Sequence, residues 1–390
     1  MRKVGILLFL VFGLIVDALS QDLVFGTNNY VEYQIGTLPV VISVPHGGNL
    51  NPMSIPDRTC NDPVYATDAF TIETAMAINQ SIFEATGCYP HIIISHLKRS
   101  KLDCNRNLED GACGNEEAII AWEEFHNFIE TAQNTANGEF QDKIFFVDLH
   151  GHGNPIQRIE LGYLLYDDEL ELSDNTLNTA QYLNYSSIRN LALNNFNNLS
   201  HSQLLRGSQA LGTLLGNSGY PSVPSEQIPY PGTATNYFSG GYITANHTCY
   251  APGVISNGLQ MELNYSGIRD SEINRSAFSF NFSSAILEFL NVHFNLDLSE
   301  CSSNFIDEGN KYDVLVYPNP LQSDKLFVHI NSVKTANYKV LNLFGQVVLD
   351  GYITDINTGI SCHNLKSGVY IIHLSDANDQ MIASSRFVVE

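Results

Sequence analysis

Apolar positions follow one pattern along most of the chain and another near its end. Val40–Val44, Ile92–Ser95 and Ile144–Val147 are short continuous runs rich in Val and Ile, as expected of strands buried on both faces. Ala69–Ala85 and Glu116–Ala132 repeat apolar residues at three- and four-residue intervals and predict helices. Further helical spacing occurs near Ile188–Phe196, Gln203–Leu215 and Ser276–His293, while Gly241–Thr244 and Leu259–Leu263 read as a strand pair. Strands alternating with helices predict an α/β fold with a mixed or mainly parallel sheet and helices on both faces. Trp122, Phe125 and Phe128 lie at helical spacing and read as core.

The last eighty residues change period. Val314–Tyr317, Leu326–Ile330, Tyr338–Leu341, Gln346–Leu349, Val369–Leu374 and Ser385–Val389 are strand-like runs between Asn-, Gly- and Ser-containing turns, which predicts a small all-β sandwich. Three motifs stand in this region: Tyr317-Pro318-Asn319-Pro320, Asn342-Leu343-Phe344-Gly345-Gln346 and Leu365-Lys366-Ser367-Gly368-Val369-Tyr370. Their order resembles the C-terminal sorting domain of the type IX secretion system of Bacteroidota. That resemblance implies export to the periplasm, passage across the outer membrane by the type IX machinery, and a secreted or cell-surface location. At the other end, Arg2 and Lys3 precede the apolar run Val4–Val16, with Ala18 and Ser20 at small-residue positions, which predicts a signal peptide cleaved before Gln21. The expected organisation is a signal peptide at 1–20, a catalytic domain at 21–295, a linker at 296–310 and the sorting domain at 311–390. No other stretch approaches about 20 uninterrupted apolar residues, so no transmembrane segment is expected in the mature chain.

Charge narrows the partners. The 390 residues carry 41 Asp+Glu against 19 Lys+Arg, a formal net charge of −22, which argues against nucleic acid. All seven cysteines lie outside the signal peptide, and export permits disulfides. Cys104 and Cys113 are the expected pair.

Polar residues of catalytic type end run after run in the larger region. Val40–Val44 leads through Pro45 into His46-Gly47-Gly48, Ile144–Val147 into Asp148-Leu149-His150-Gly151-His152, and Leu259-Gln260-Met261 into Glu262. In open α/β sheets, ligands gather at the carboxyl ends of strands. Between these ends, Arg99 to Arg106 is the densest polar cluster. Imidazoles and a carboxylate suit Zn²⁺, which brings the pKa of bound water towards about 7. A separate carboxylate can move the proton, and an Arg beside an Asn can hold a substrate carboxylate.

Ser43-Val44-Pro45-His46-Gly47-Gly48, Thr67-Asp68, Asp103-x-Asn105-Arg106, Asp148-Leu149-His150, Phe238 to Thr244 and Leu259 to Glu262 resemble the N-formylglutamate amidohydrolase family. The resemblance runs from about Val40 to Asp270 and implies a fold like that of the zinc carboxypeptidases: a mixed sheet flanked by helices. It implies one Zn²⁺ held by His46 and His150, with Asn105 and Arg106 on a substrate carboxylate and Glu262 as proton shuttle. Carboxypeptidase-like enzymes place a ligand glutamate three residues after the first histidine, where this chain has Asn49. The third ligand is therefore expected to be Asp68, with Glu73 as the alternative. Arg99 is expected to bind substrate or polarise its carbonyl, with a structural ion pair to Asp103 as the alternative, and Asp148 to orient His150 or the strand end. The implied function is a secreted zinc-dependent amidohydrolase acting on an N-acyl amino acid or peptide that carries a carboxylate. An extracellular peptidase or peptidoglycan amidase, or a binding protein without turnover, are the alternatives.

Overall fold

The computed structural model describes residues 21–232, 236–298, 314–317, 321, 324–330, 336–342, 347–355, 357–376 and 381–389. The signal peptide expected at 1–20, most of the linker, Cys301, and parts of the first two sorting motifs lie outside the described residues. The chain divides into two compact units, Met1–Ser302 and Ser303–Glu390.

The larger unit is built on eight strands: β1 (Leu23–Phe25), β2 (Val31–Gln34), β3 (Val40–Val44), β4 (His91–Ser95), β5 (Phe145–His152), β6 (Ile159–Gly162), β7 (Ser222–Val223) and β8 (Asn257–Asn264). Their order in the sheet is β1-β2-β4-β3-β5-β8-β6-β7. The middle four, β4-β3-β5-β8, are parallel, while β2 and β6 flank them antiparallel. The continuous apolar runs are explained by burial on both faces. Val40, Ile42 and Val44 enter a core shared with the helices Thr71–Thr86 and Glu272–Phe294, while Val41 enters the core of the helix Glu116–Phe140 on the other side. The same division holds in β4 and β5, where Ile92, Ile94, Phe145 and Val147 face one core and Ile93 and Phe146 the other. This is the mixed α/β architecture expected. Among the described residues, no helix is long and apolar enough to cross a membrane.

Two expectations are corrected. Gly241–Thr244 is not a strand; Tyr242–His247 is a helix. The lane beside β8 is filled by β6, whose Glu160 faces Glu262, and Ile243 N–H, in the first turn of that helix, donates to Asn105 Oδ1 at 2.9 Å. The Cys104–Cys113 pair does not form. Cys113 is bonded to Cys60, with Cα atoms 5.8 Å apart, while Cys104 is a buried free thiol. The short helix Leu108–Ala112 explains this: it carries Cys113 away from Cys104, which packs in the core beside Leu102 and Phe125.

Buried histidines give this unit a pH-dependent stability. Gly36 N–H donates to His91 Nδ1 at 3.1 Å and Tyr33 Oη lies 2.8 Å from the same atom, so the ring is neutral. Burial pushes its pKa down to about 4, against about 6.5 in an unfolded chain. Between those values the unfolded state binds the proton and the native state does not, so stability falls with falling pH. The expected loss from this group is about 3 kcal/mol by pH 4. Urea midpoints at pH 7.5 and 4.5 should differ, and His91→Gln should flatten the dependence by roughly that share. His126 and His247, which burial also lowers, supply part of the remaining slope.

The smaller unit is a sandwich of two antiparallel sheets, as expected. One holds β9 (Val314–Tyr317), β10 (Lys325–Ile330) and β13 (Asn357–Ser361); the other holds β11 (Ala336–Asn342), β12 (Val347–Ile353), β14 (Gly368–Ser375) and β15 (Met381–Val389). Leu326, Val328, Val340, Ile353, Ile372 and Phe387 fill the space between them. β13 has no counterpart among the expected strands.

Candidate metal centre

The parallel order β3-β5-β8 brings three carboxyl strand ends side by side. His46 lies two residues beyond β3, His150 is in β5, and Glu262 is in β8 directly opposite His150. Asp68 reaches the same point from the loop before the helix Thr71–Thr86. Its backbone N–H donates to His46 C=O at 3.0 Å, which fixes the loop against the first histidine. Phe70, between Asp68 and the helix, is held at φ +63°, a left-handed conformation that costs a bulky residue about 1–3 kcal/mol. Asp68 does not cap the helix with its side chain. Instead Oδ2 lies 3.4 Å from His46 Nδ1 and 3.2 Å from His150 Nδ1, and accepts from Gly151 N–H at 3.2 Å. Glu73, the alternative ligand, is exposed in the helix's first turn.

The ligand atoms of His46, Asp68 and His150 all lie within 4.8 Å of one another, and all three residues are buried. The opposite ring nitrogens are engaged by carboxylates. His46 Nε2 is 2.6 Å from Asp103 Oδ1, and His150 Nε2 is 3.0 Å from Asp148 Oδ2. Asp148 is itself fixed by Ser43, whose Oγ donates to Oδ1 at 2.7 Å. Asp103 behind His46 favours the tautomer that leaves the His46 Nδ1 lone pair facing inward, an arrangement common at metal-binding histidines. His46 Nδ1 is buried and makes no hydrogen bond in the described structure.

The electrostatics fit a cation. Burial alone would raise Asp68, but the imidazoles of His150 and His46 beside it outweigh burial and hold the carboxyl well below the usual range. Burial opposes charge on His150, yet Asp148, Asp68 and Glu262 push its pKa well above that of free imidazole. Glu262 itself is pushed up to about 7 by burial, against the pull of His150 and His46. Four carboxylates converge on two imidazoles, and the donor set of two nitrogens and one carboxylate oxygen suits Zn²⁺ with a coordination position left over. Glu262 Oε1 accepts from Gln260 Nε2 at 2.9 Å, and among the described residues Oε2 makes no hydrogen bond.

The arginine cluster is more committed than its sequence suggests. Asp103 is its hub. Burial would raise this carboxyl, but His46, Arg99 and Arg58 hold it well below the usual range. Arg58, Arg99 and Arg106 approach Asp103 Oδ2 at 3.4, 3.2 and 3.5 Å. Arg106 spends its two terminal nitrogens on the carbonyls of Asn61 and Asp62, at 2.8 and 3.1 Å. Arg99 directs Nη1 to Asp68 Oδ1 at 3.7 Å and, among the described residues, leaves Nη2 without a partner. Asn105 places Nδ2 3.4 Å from His150 Nε2 and accepts from Ile243 N–H through Oδ1. His152 stands apart from the cradle, with Nε2 on Arg158 C=O and Nδ1 accepting from Asn154 N–H.

Sequence reasoning missed Arg58 and Arg269. Both are almost fully buried, at 1% and 2% exposure. Arg269 donates to three carbonyls: Leu263 at the end of β8 (3.2 Å), His152 at the end of β5 (2.9 Å), and Ala69 in the Asp68 loop. It lies so close over Gly151 that any Cβ there would strike the guanidinium, which explains the glycine between His150 and His152. One side chain thus ties together the three segments that carry Asp68, His150 and Glu262. The scarcity of basic residues, 19 in 390, is the sequence signal by which they could have been found.

Residues 315–390 match the family model of the secretion system C-terminal sorting domain. The chain therefore ends in a type IX sorting domain, and the protein is secreted or displayed at the cell surface. No curated protein matches the chain. Among solved structures, it is similar to PorZ, a bacterial surface component of the type IX secretion system of Porphyromonas gingivalis, at 21% identity over 20% of this chain, with a TM-score of 0.18. The matched part spans only 11% of that structure. An N-formylglutamate amidohydrolase from Ralstonia eutropha aligns at 13% identity over 67% of this chain and 97% of its own, with a TM-score of 0.40.

Proposed function

We propose that the larger unit is a zinc-dependent amidohydrolase that works outside the cell on a carboxylate-bearing N-acyl amino acid or peptide. The observation that carries this reading is the convergence of ligand atoms of His46, His150 and Asp68 within 4.8 Å, with Glu262 on the adjacent strand. His46, His150 and Asp68 would hold the ion, each imidazole braced by its carboxylate. When bound, Zn²⁺ supplies Lewis acidity, polarising a carbonyl and acidifying water. Glu262 takes the proton from the attacking water at its free oxygen while the new C–O bond forms at the amide carbon. It then delivers that proton to the nitrogen as the C–N bond breaks. Gln260 keeps the carboxyl aimed by holding Oε1. Arg99 offers its unpaired Nη2 to a substrate carboxylate or to the carbonyl oxygen. Arg106 and Asn105 belong to the same wall, with Arg106 contributing charge while its terminal nitrogens stay on the backbone and Nε faces Asp103.

Metal analysis tests the premise. The purified protein should carry about one equivalent of zinc. Chelation should lower its melting temperature, since a ligand that binds only the native state stabilises it by mass action. Asp68→Ala should fail to regain zinc under conditions that reload the wild type. A protein that binds no metal, or melts identically with and without it, removes this reading.

A further inference from the structure

Beside the metal cradle lies a hollow that the chemistry above leaves unused. It is a half-open hollow of about 410 Å³, lined by Tyr166, Tyr185, Tyr242 and Tyr250, together with Glu169, the Ser239–Gly241 segment and the aliphatic Leu164 and Ala245. The wall at Gly241 is pressed against Asn105 so closely that a Cβ would collide with the amide, and Asn105 Nδ2 in turn lies 3.4 Å from His150 Nε2. The hollow is therefore one side chain away from a proposed metal ligand.

Its lining has a definite chemistry. Tyr166, Tyr185 and Tyr250 are 64%, 50% and 41% exposed, so their rings do not serve a core. Tyr242 is fixed by packing against Trp122 and His126, with ring centroids 6.0 and 5.8 Å apart. Glu169 Oε2 accepts from Tyr166 N–H at 2.8 Å, which ties two of the lining residues together. Aromatic faces carry negative electrostatic potential and attract cations, most strongly where several rings surround one site. Glu169 adds a carboxylate, and among the described residues no Lys or Arg lines the space.

We propose that this hollow is a subsite for a cationic group, such as the side-chain ammonium of a lysine or another diamino acid, carried by the molecule whose amide bond reaches the cradle. The choice of molecule rests on the amidohydrolase reading; the binding chemistry does not. A neutral alkyl group would desolvate Glu169 without pairing it, and an anionic group would meet that carboxylate and the net charge of −22. A sugar would also stack on tyrosine, but beyond Glu169, Ser239 and the tyrosine hydroxyls the lining offers its hydroxyls, among the described residues, no Asn, Gln or Arg.

Calorimetric titration of full-length Glu262→Gln with N-acetyl-lysine amide, N-acetyl-norleucine amide and N-acetylglucosamine separates these cases. The lysine ligand is expected to bind at least about tenfold more tightly than its uncharged counterpart. Tyr185→Ala or Tyr166→Ala, both at exposed positions, should remove most of that preference, and Glu169→Gln part of it. Equal affinity for lysine and norleucine ligands, preferential sugar binding, or a preference that survives both tyrosine substitutions overturns the proposal. Turnover by the wild type distinguishes the two readings. Lysine-selective binding without hydrolysis of any acylated amino acid retains the subsite and removes the hydrolase. Hydrolysis indifferent to the cation retains the hydrolase and removes the subsite.

Discussion

Glu262→Gln is expected to lower kcat for amide hydrolysis by about a thousandfold while the protein keeps its fold and its zinc. A positioned general acid–base contributes roughly 10²–10⁴-fold, and glutamine removes that proton transfer without changing the volume of a side chain that is 5% exposed. The amide can still pair with Gln260, so β8 loses no buried partner. Metal analysis beside the kinetics separates causes. Full zinc content with collapsed kcat assigns the loss to the proton shuttle. Full zinc content with more than about a tenth of wild-type turnover would sink the role given to Glu262.

Arg269→Met is expected to produce the largest loss of stability, about 3–5 kcal/mol, together with weakened zinc retention. Methionine fills part of the volume but donates nothing to the carbonyls of Ala69, His152 and Leu263. It also removes the buried positive charge near Asp68 and Glu262, whose attraction opposes the fall in the Arg269 pKa that burial brings. Arg269→Lys should recover only part of the loss, because one ammonium cannot span three carbonyls as a planar fork does. Urea denaturation gives the stability, and competition with a chromogenic chelator gives the zinc affinity. The proposed role predicts that both fall. A destabilised variant with wild-type zinc affinity would make Arg269 a purely architectural residue, and wild-type values in both would remove even that.

The strand-end pattern was legible because a buried parallel strand needs continuous apolar residues, so a polar residue that closes such a run stands out. His46, His150 and Glu262 were visible in this way. The sorting domain was legible for a different reason: its motifs and strand runs are local in sequence. Where sequence reasoning failed, the competing elements were distant. Gly241–Thr244 looks like a strand until Asn105, more than a hundred residues earlier, captures Ile243 N–H and β6 takes the lane beside β8. Cys104 and Cys113 look like neighbours until the helix Leu108–Ala112 turns one towards Cys60 and leaves the other in the core.

By itself, then, the sequence determined the period of each element, the class of fold, the sorting tail and the kinds of side chain at the strand ends. Those follow from local propensity and from the burial that each run demands. Tertiary structure decided how they are used. It alone set a carboxylate behind each histidine, turned both Nδ1 atoms towards Asp68, tied Arg106 to the backbone and buried Arg269 among three carbonyls. These are contacts between residues far apart in the chain, fixed by how helices and loops pack against the sheet, and no local pattern encodes them.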